Sequence, residues 1–184
     1  MGSLSPPDLR SDEELIRAIN QGDTAAFETL YYRYRDWVVR LATRFSGRTD
    51  DALDVLQDTF AYLLRKTPSL RLSARMTTFL YPVVKHLSLA ARRRSCRSLG
   101  CELDADVPAP PPSENDGARS SLAEVMAGLS PDQREVVLMR FVDDMTLAEI
   151  AQALRMPVGT VKSKLHRALE RLQNDPRTRA YFQR

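Results

Sequence analysis

The stretch Thr146 to Arg171, TLAEIAQALRMPVGTVKSKLHRALER, decides how the 184-residue chain is read. Thr146 with Glu149 three residues on has the form of a capping box, in which a hydroxyl and a carboxylate satisfy the free N–H groups at a helix start. Ile150, Ala151 and Leu154 follow at helical spacing, so a short helix begins at Leu147. Arg155, Met156 and Pro157 interrupt the pattern. Val158, Val161, Leu165, Ala168, Leu169 and Leu172 then recur at three- and four-residue steps and mark the buried stripe of a second helix. Two short helices joined by a tight turn form a helix-turn-helix.

On a wheel of about 100° per residue, the face opposite that stripe carries Gly159, Ser163, His166, Arg167 and Glu170, flanked by Thr160, Lys162, Lys164 and Arg171. A small, hydrogen-bonding, mostly basic surface backed by an apolar one is what reading a major groove requires. Thr160, Lys162, Ser163, Lys164, His166 and Arg167 are therefore the expected DNA contacts. From Arg155 to Arg171 five basic residues face one acid, Glu170, so the positive charge is segregated onto the second helix. A solvated face of an ordinary helical hairpin is the alternative that spacing leaves open.

The formal net charge is +3 and the pI near 9.0, which leans toward nucleic acid less firmly than the clustering does. The length suits one large or two small domains. No apolar run approaches the roughly 20 residues of a membrane span. The opening MGSLSPPDLRSDEE lacks the hydrophobic region of a signal peptide, so a cytoplasmic location without membrane insertion is expected. Cys96 and Cys101 are the only cysteines, too few to complete a zinc site, and read as incidental linker thiols; no metal or cofactor is expected.

Upstream, Ser11 with Glu14 caps a first short helix that Gly22 stops, and Asp23 caps a long second one. Phe27, Leu30, Tyr31, Tyr34, Val38, Leu41, Ala42 and Phe45 hold helical spacing until Gly47. A third helix, DDALDVLQDTFAYLLRK, starts at Thr49 or Asp50 and ends before Pro68. Its early carboxylates suit the helix dipole. Asp54 and Asp58, however, are like charges one turn apart, costing a few tenths of a kcal/mol unless a basic partner uses them. An acidic protein-docking face is one reading and a solvated face the other.

After the loop KTPSLRLS, a fourth helix runs to about Arg94, with Met76, Phe79, Leu80, Val83, Val84, Leu87 and Ala91 buried. Thr78, Tyr81, Lys85 and Arg92 form a stripe on its far side, with His86 and Arg93 beside it. A hydroxyl, a phenol and several cations in a row can bind phosphates and stack a base, the two needs of a single-strand groove. Pro82 predicts a kink or a helix start near it. Residues 95–120 lose periodicity in the proline-rich, acidic LDADVPAPPPSENDGA, which reads as a flexible tether holding two cationic surfaces apart. Ser121 with Glu124, then Ser130, Pro131 and Gln133, open the helices beneath the helix-turn-helix.

These stretches together resemble a sigma-70-family sigma factor of the compact extracytoplasmic-function group. The resemblance implies an all-α fold of two small domains: a sigma-2 helical bundle over 11–94 and a sigma-4 helix-turn-helix domain over 121–174, joined by the linker 95–120. AFETLYYRYRDWVVRLA is similar to the family's opening core helix. DALDVLQDTF is similar to its DAEDLVQETF motif, with Leu53 where Glu is usual, so Asp51, Asp54, Gln57 and Asp58 are the implied contacts to the clamp helices of the polymerase β′ subunit. TTFLYPVVKHLSLAARRR resembles the helix that holds the melted −10 strand, with Phe79 for Trp, His86 for Asn and Ala90 for Asp. Ser69 and Arg71 lie on the loop that in this family captures a flipped-out base. The final domain would read the −35 element through Lys162, Ser163, His166 and Arg167 and touch the polymerase β flap.

The implied protein is a non-enzymatic promoter-specificity subunit. It is a monomer when free, and its partners are core RNA polymerase, promoter DNA and an anti-sigma factor. Two rivals stay open: a stand-alone helix-turn-helix regulator, which predicts dimerisation and a palindromic site, and a sigma-like decoy that binds an anti-sigma factor without touching promoters.

Overall fold

The structure, a computed structural model, describes residues 8–99 and 124–178. Every regular element among them is helical. Four helices make an N-terminal unit: α1 (Asp12–Asn20), α2 (Thr24–Ser46), α3 (Thr49–Lys66) and α4 (Met76–Leu99). A helical turn at 124–127 and α5 (Pro131–Phe141), α6 (Leu147–Leu154) and α7 (Val158–Asn174) make a C-terminal one.

The caps are where the side-chain chemistry puts them. Capping boxes form at Ser11/Glu14, Ser130/Gln133 and Thr146/Glu149, and the Asp23 carboxylate accepts from the Ala26 N–H at 3.1 Å. Gly47 ends α2 in the left-handed region at φ 78°, where a Cβ would be strained. Leu30, Val38 and Leu41 of α2, Val55 and Leu63 of α3, and Met76, Leu80 and Val84 of α4 form the buried interior of the first unit. Phe27, Tyr31 and Phe60 stack edge-on and tilted across α2 and α3, so the aromatic stripe is packing.

Helix α4 starts at Met76 and runs through Pro82, with the ring on the exposed side. It departs from the sequence reading by continuing past Arg94 to Leu99, so the first residues assigned to the linker are helical. Cys96, in its last turns, is buried and disulfide-bonded rather than a free thiol. Cys101, the remaining 100–123 stretch and Ser121 of the expected capping box lie outside the described residues.

The two units are packed together, an arrangement that the sequence leaves open between compact and splayed. Met139, Met145 and Ile150 of the second unit are fully buried and belong to one apolar cluster with Leu80, Tyr81 and Val84 of α4. Burying each such side chain contributes about 1.5–3 kcal/mol. Around that contact sit three ion pairs. Arg44 donates to both Asp143 oxygens at 2.8 and 3.1 Å, with only 3% of the Asp143 side chain exposed. Lys85 and the Tyr81 hydroxyl both donate to Glu135 Oε1, at 2.5 and 3.0 Å. Arg75 lies 3.6 Å from Glu149 and donates to the Asp144 carbonyl at 3.4 Å.

Candidate nucleic-acid and protein interfaces

The turn between α6 and α7 depends on Arg155, which takes the left-handed conformation (φ 53°, ψ 46°) that glycine adopts at lower cost. Its N–H and that of Met156 then close the end of α6 on the Gln152 and Ala151 carbonyls, and α7 starts at once. Val161 and Ala168 are fully buried beneath α7, which fixes its rotation. The result is an outward face of Thr160, Lys162, Ser163, His166 and Arg167, all exposed. The Ser163 hydroxyl donates to the Gly159 carbonyl at 2.9 Å and keeps its lone pairs outward, and His166 lies 3.5 Å from Glu170.

Lys164 behaves differently from its neighbours. Its ammonium is held by Asp132 on α5, where it braces α7, and the pairing pulls the Asp132 carboxyl below the usual carboxylate range. The wheel placed Lys164 on a DNA-facing flank because it could not show α5 alongside.

On α3, Asp50, Leu53, Asp54, Gln57 and Asp58 share an exposed side. Asp54 and Asp58 make no ion pair with a described residue, so their mutual repulsion is unrelieved among the described residues. Asp51 is turned inward and accepts from the Ser95 hydroxyl at 2.8 and 3.0 Å, with Arg48 at 3.9 Å. That removes Asp51 from the implied docking set, and only the unforeseen extension of α4 supplies its partner. Leu53 and Leu64 are about half exposed on the same helix, an apolar element that the charge pattern hid.

Helix α4 carries the largest correction. Thr78 is buried, and Tyr81 and Lys85 are engaged by Glu135, so Tyr81 and Lys85 of the expected single-strand stripe lie under the second unit. Burial pushes the Tyr81 hydroxyl well above the usual phenol value, with the Glu135 charge adding to it. Arg92 is partly buried and already has a partner. The exposed edge is instead Pro82, His86, Arg93 and Arg94, bordered by half-buried Phe79. Phe79 lies 6.3 Å from Tyr62, over which Lys66 sits at 5.3 Å. Tyr62 and Lys66 escaped the sequence reading; an aromatic and a cation one turn apart, just before a loop, were the available signal.

Ser69 and Arg71 are exposed where expected, on the rim of a cavity of about 510 Å³ between α1 and the 67–72 loop. Glu13, Arg17 and Asn20 form its other wall. Asn20 Nδ2 donates to the Leu70 carbonyl at 2.8 Å and ties the loop to α1. Among the described residues no group of three His, Cys, Asp or Glu could hold a metal, and no helix is long and apolar enough to cross a membrane.

The architecture is that of an all-helical protein built around a helix-turn-helix. Two family descriptions match it: Sigma-70 region 2 over residues 30–98 and Sigma-70, region 4 over 119–172. The ECF RNA polymerase sigma-E factor of Haemophilus influenzae is 30% identical, covering 89% of this chain and 94% of its own length. The ECF RNA polymerase sigma factor SigM of Mycobacterium tuberculosis is also 30% identical, over 89% of this chain and 83% of its own. Among solved structures, CnrH in complex with the cytosolic domain of CnrY superposes with a TM-score of 0.65 at 20% identity, covering 89% of this chain and 96% of that one. The sigma factor RpoE in complex with the anti-sigma factor NepR, from Bartonella quintana, gives 0.60 at 21% identity, covering 80% and 94%. The chain belongs to the extracytoplasmic-function sigma factors of the sigma-70 family, the RNA polymerase subunits that direct transcription initiation.

Proposed function

We propose that the sites divide as follows. Thr160, Lys162, Ser163, His166 and Arg167 of α7 read the −35 duplex, and Lys164 holds that helix in place. Asp54, Gln57 and Asp58, with Leu53 and Leu64, dock on the β′ clamp helices of core polymerase, and the second unit rests on the β flap. The exposed edge of α4 (His86, Arg93, Phe79), extended by Tyr62 and Lys66, holds the melted −10 strand. The cavity beside Ser69 and Arg71 takes one extruded base, which costs a few kcal/mol to unstack. The protein acts in the cytoplasm as a non-catalytic monomer whose contribution is binding energy for the unpaired strand. It is held in check by an anti-sigma factor, as RpoE of Bartonella quintana was captured with the anti-sigma factor NepR.

The observation that carries this reading is the face of α7, where Lys162 and Arg167 project exposed, with no ion pair among the described residues, from a helix whose opposite side is packed. The K162A/R167A variant is expected to lower −35 duplex affinity by about 1–3 kcal/mol for each lost contact and to flatten its salt dependence. Fluorescence anisotropy at two salt concentrations reads both effects. Unchanged affinity with an unchanged slope refutes the assignment.

A further inference from the structure

Between Glu149 and Glu170 the chain carries no carboxylate, and over that stretch both helices of the helix-turn-helix turn a side outward. On α7 that side is the reading face. On α6 it is Ala148, Gln152 and Arg155, which recur at four- and three-residue steps and are all exposed. Glu149 is not part of it: its carboxylate is tied to the Thr146 N–H and hydroxyl and faces Arg75, with 13% of the side chain exposed. Exposed Pro157, Val158, Gly159 and Thr160 join the two sides into one surface, and a Cβ at Gly159 would meet nothing within 4 Å, so nothing overhangs the junction.

Of the five Lys and Arg residues from 155 to 171, Arg155 alone lies off α7. Its guanidinium makes no ion pair or hydrogen bond among the described residues, and neither does the Gln152 side-chain amide. Its backbone is left-handed, where glycine costs less, so neither local geometry nor a partner in the fold accounts for an arginine there. When such a motif docks, the second helix enters the groove while the first crosses the sugar–phosphate backbone. The outward side of α6 then meets phosphate, which a guanidinium holds through two parallel N–H bonds and a neighbouring amide through one more.

From this placement we infer that Arg155, with Gln152 beside it, clamps a phosphate of the duplex backbone flanking the groove that α7 occupies. The inference rests on the −35 reading of α7 and extends it to the first helix. The contact carries no base information; it sets the register at which Lys162, Ser163, His166 and Arg167 meet the bases. Arg155 is a positioning residue, and the strain of its left-handed backbone is offset only when DNA is bound. Glycine at this position therefore has opposite effects on the free chain and on the complex.

The test uses the full chain, a labelled −35 duplex and a scrambled duplex of equal length, read by fluorescence anisotropy across a salt series, with thermal melts in parallel. R155G is expected to melt about 2–4 °C higher than the wild type. It should also bind both duplexes several-fold more weakly at low salt, with a slope of log affinity against log salt that is shallower by about 0.9. R155K keeps the charge and should retain the wild-type slope. R155A removes the charge without relieving the backbone, and should lose the slope without the gain in melting temperature. Q152A, which removes no charge, should weaken both complexes at an unchanged slope. Wild-type affinity and slope in R155G overturn the proposal, whatever its melting temperature. So does a loss confined to the −35 duplex, which makes Arg155 a base contact instead. Should glycine loosen the turn and lower the melting temperature, R155A against R155K still decides, because equal slopes in those two exclude a charged contact. Failure of the −35 reading shows separately, as wild-type binding by K162A/R167A.

Discussion

Helices α4 and α7 carry the same kind of pattern, an apolar stripe backed by hydroxyls and cations, and meet opposite fates. On α7 the polar face points outward, with Lys162, Ser163, His166 and Arg167 exposed. On α4, Tyr81 and Lys85 of the corresponding stripe are covered by a second unit, and the outward edge is His86 and Arg93 beside it, with Pro82 and Arg94. The difference teaches what amphipathic spacing measures. It separates the side that meets the helix's own core from the side that does not. It is silent on whether the latter meets water or another folded unit.

The contrast can be broken first at Arg44. R44A leaves the Asp143 carboxylate buried without its partner, and removing one member of such a pair costs roughly 3–5 kcal/mol. Denaturant melts of the full chain should show that loss. No change would mean the units are not held as described, and α4 would then resemble α7.

A smaller contrast of the same kind lies within α3. D54K/D58K is expected to abolish co-purification with core polymerase at unchanged helicity, because both carboxylates are exposed and make no ion pair among the described residues. D51N should leave co-purification intact and reduce stability by about 1 kcal/mol through its Ser95 hydrogen bonds. Equal effects from the two variants would erase the distinction between docking and structural acids.

The smallest effect expected is from pH. Tyr81 is raised above its ordinary value, near 10, by burial, so the closed form favours the neutral phenol. Its contribution to closure is complete below that ordinary value and is lost as pH rises toward the raised one, because the open form ionises first. The radius of gyration should therefore increase above about pH 10, and Y81F should shrink the change. A radius constant through that range in the wild type contradicts the burial of Tyr81.

Much of this was legible beforehand because local chemistry decides it. The three capping boxes, the stop at Gly47, the break at Arg155 to Pro157 and the apolar stripe of α7 depend on residues within four positions of one another. What was not legible depends on partners far along the chain. Asp51 finds Ser95, and Lys164 finds Asp132. Tyr81 finds Glu135 across the whole second half of the fold. Pro82 lies inside α4, whose buried neighbours Leu80, Tyr81 and Val84 offset the roughly 3 kcal/mol an interior proline costs. In each case propensity or spacing was read correctly and a tertiary contact changed its meaning.

The central claim, one polar helix face open and one self-covered, is tested most directly by hydroxyl-radical footprinting of the free full-length protein with mass spectrometry. Tyr32, 56% exposed on α2, serves as the internal standard. The account predicts that Tyr32 is oxidised readily while Tyr81 stays silent until polymerase and promoter DNA are added. Oxidation of Tyr81 as fast as Tyr32 in the free chain would contradict it.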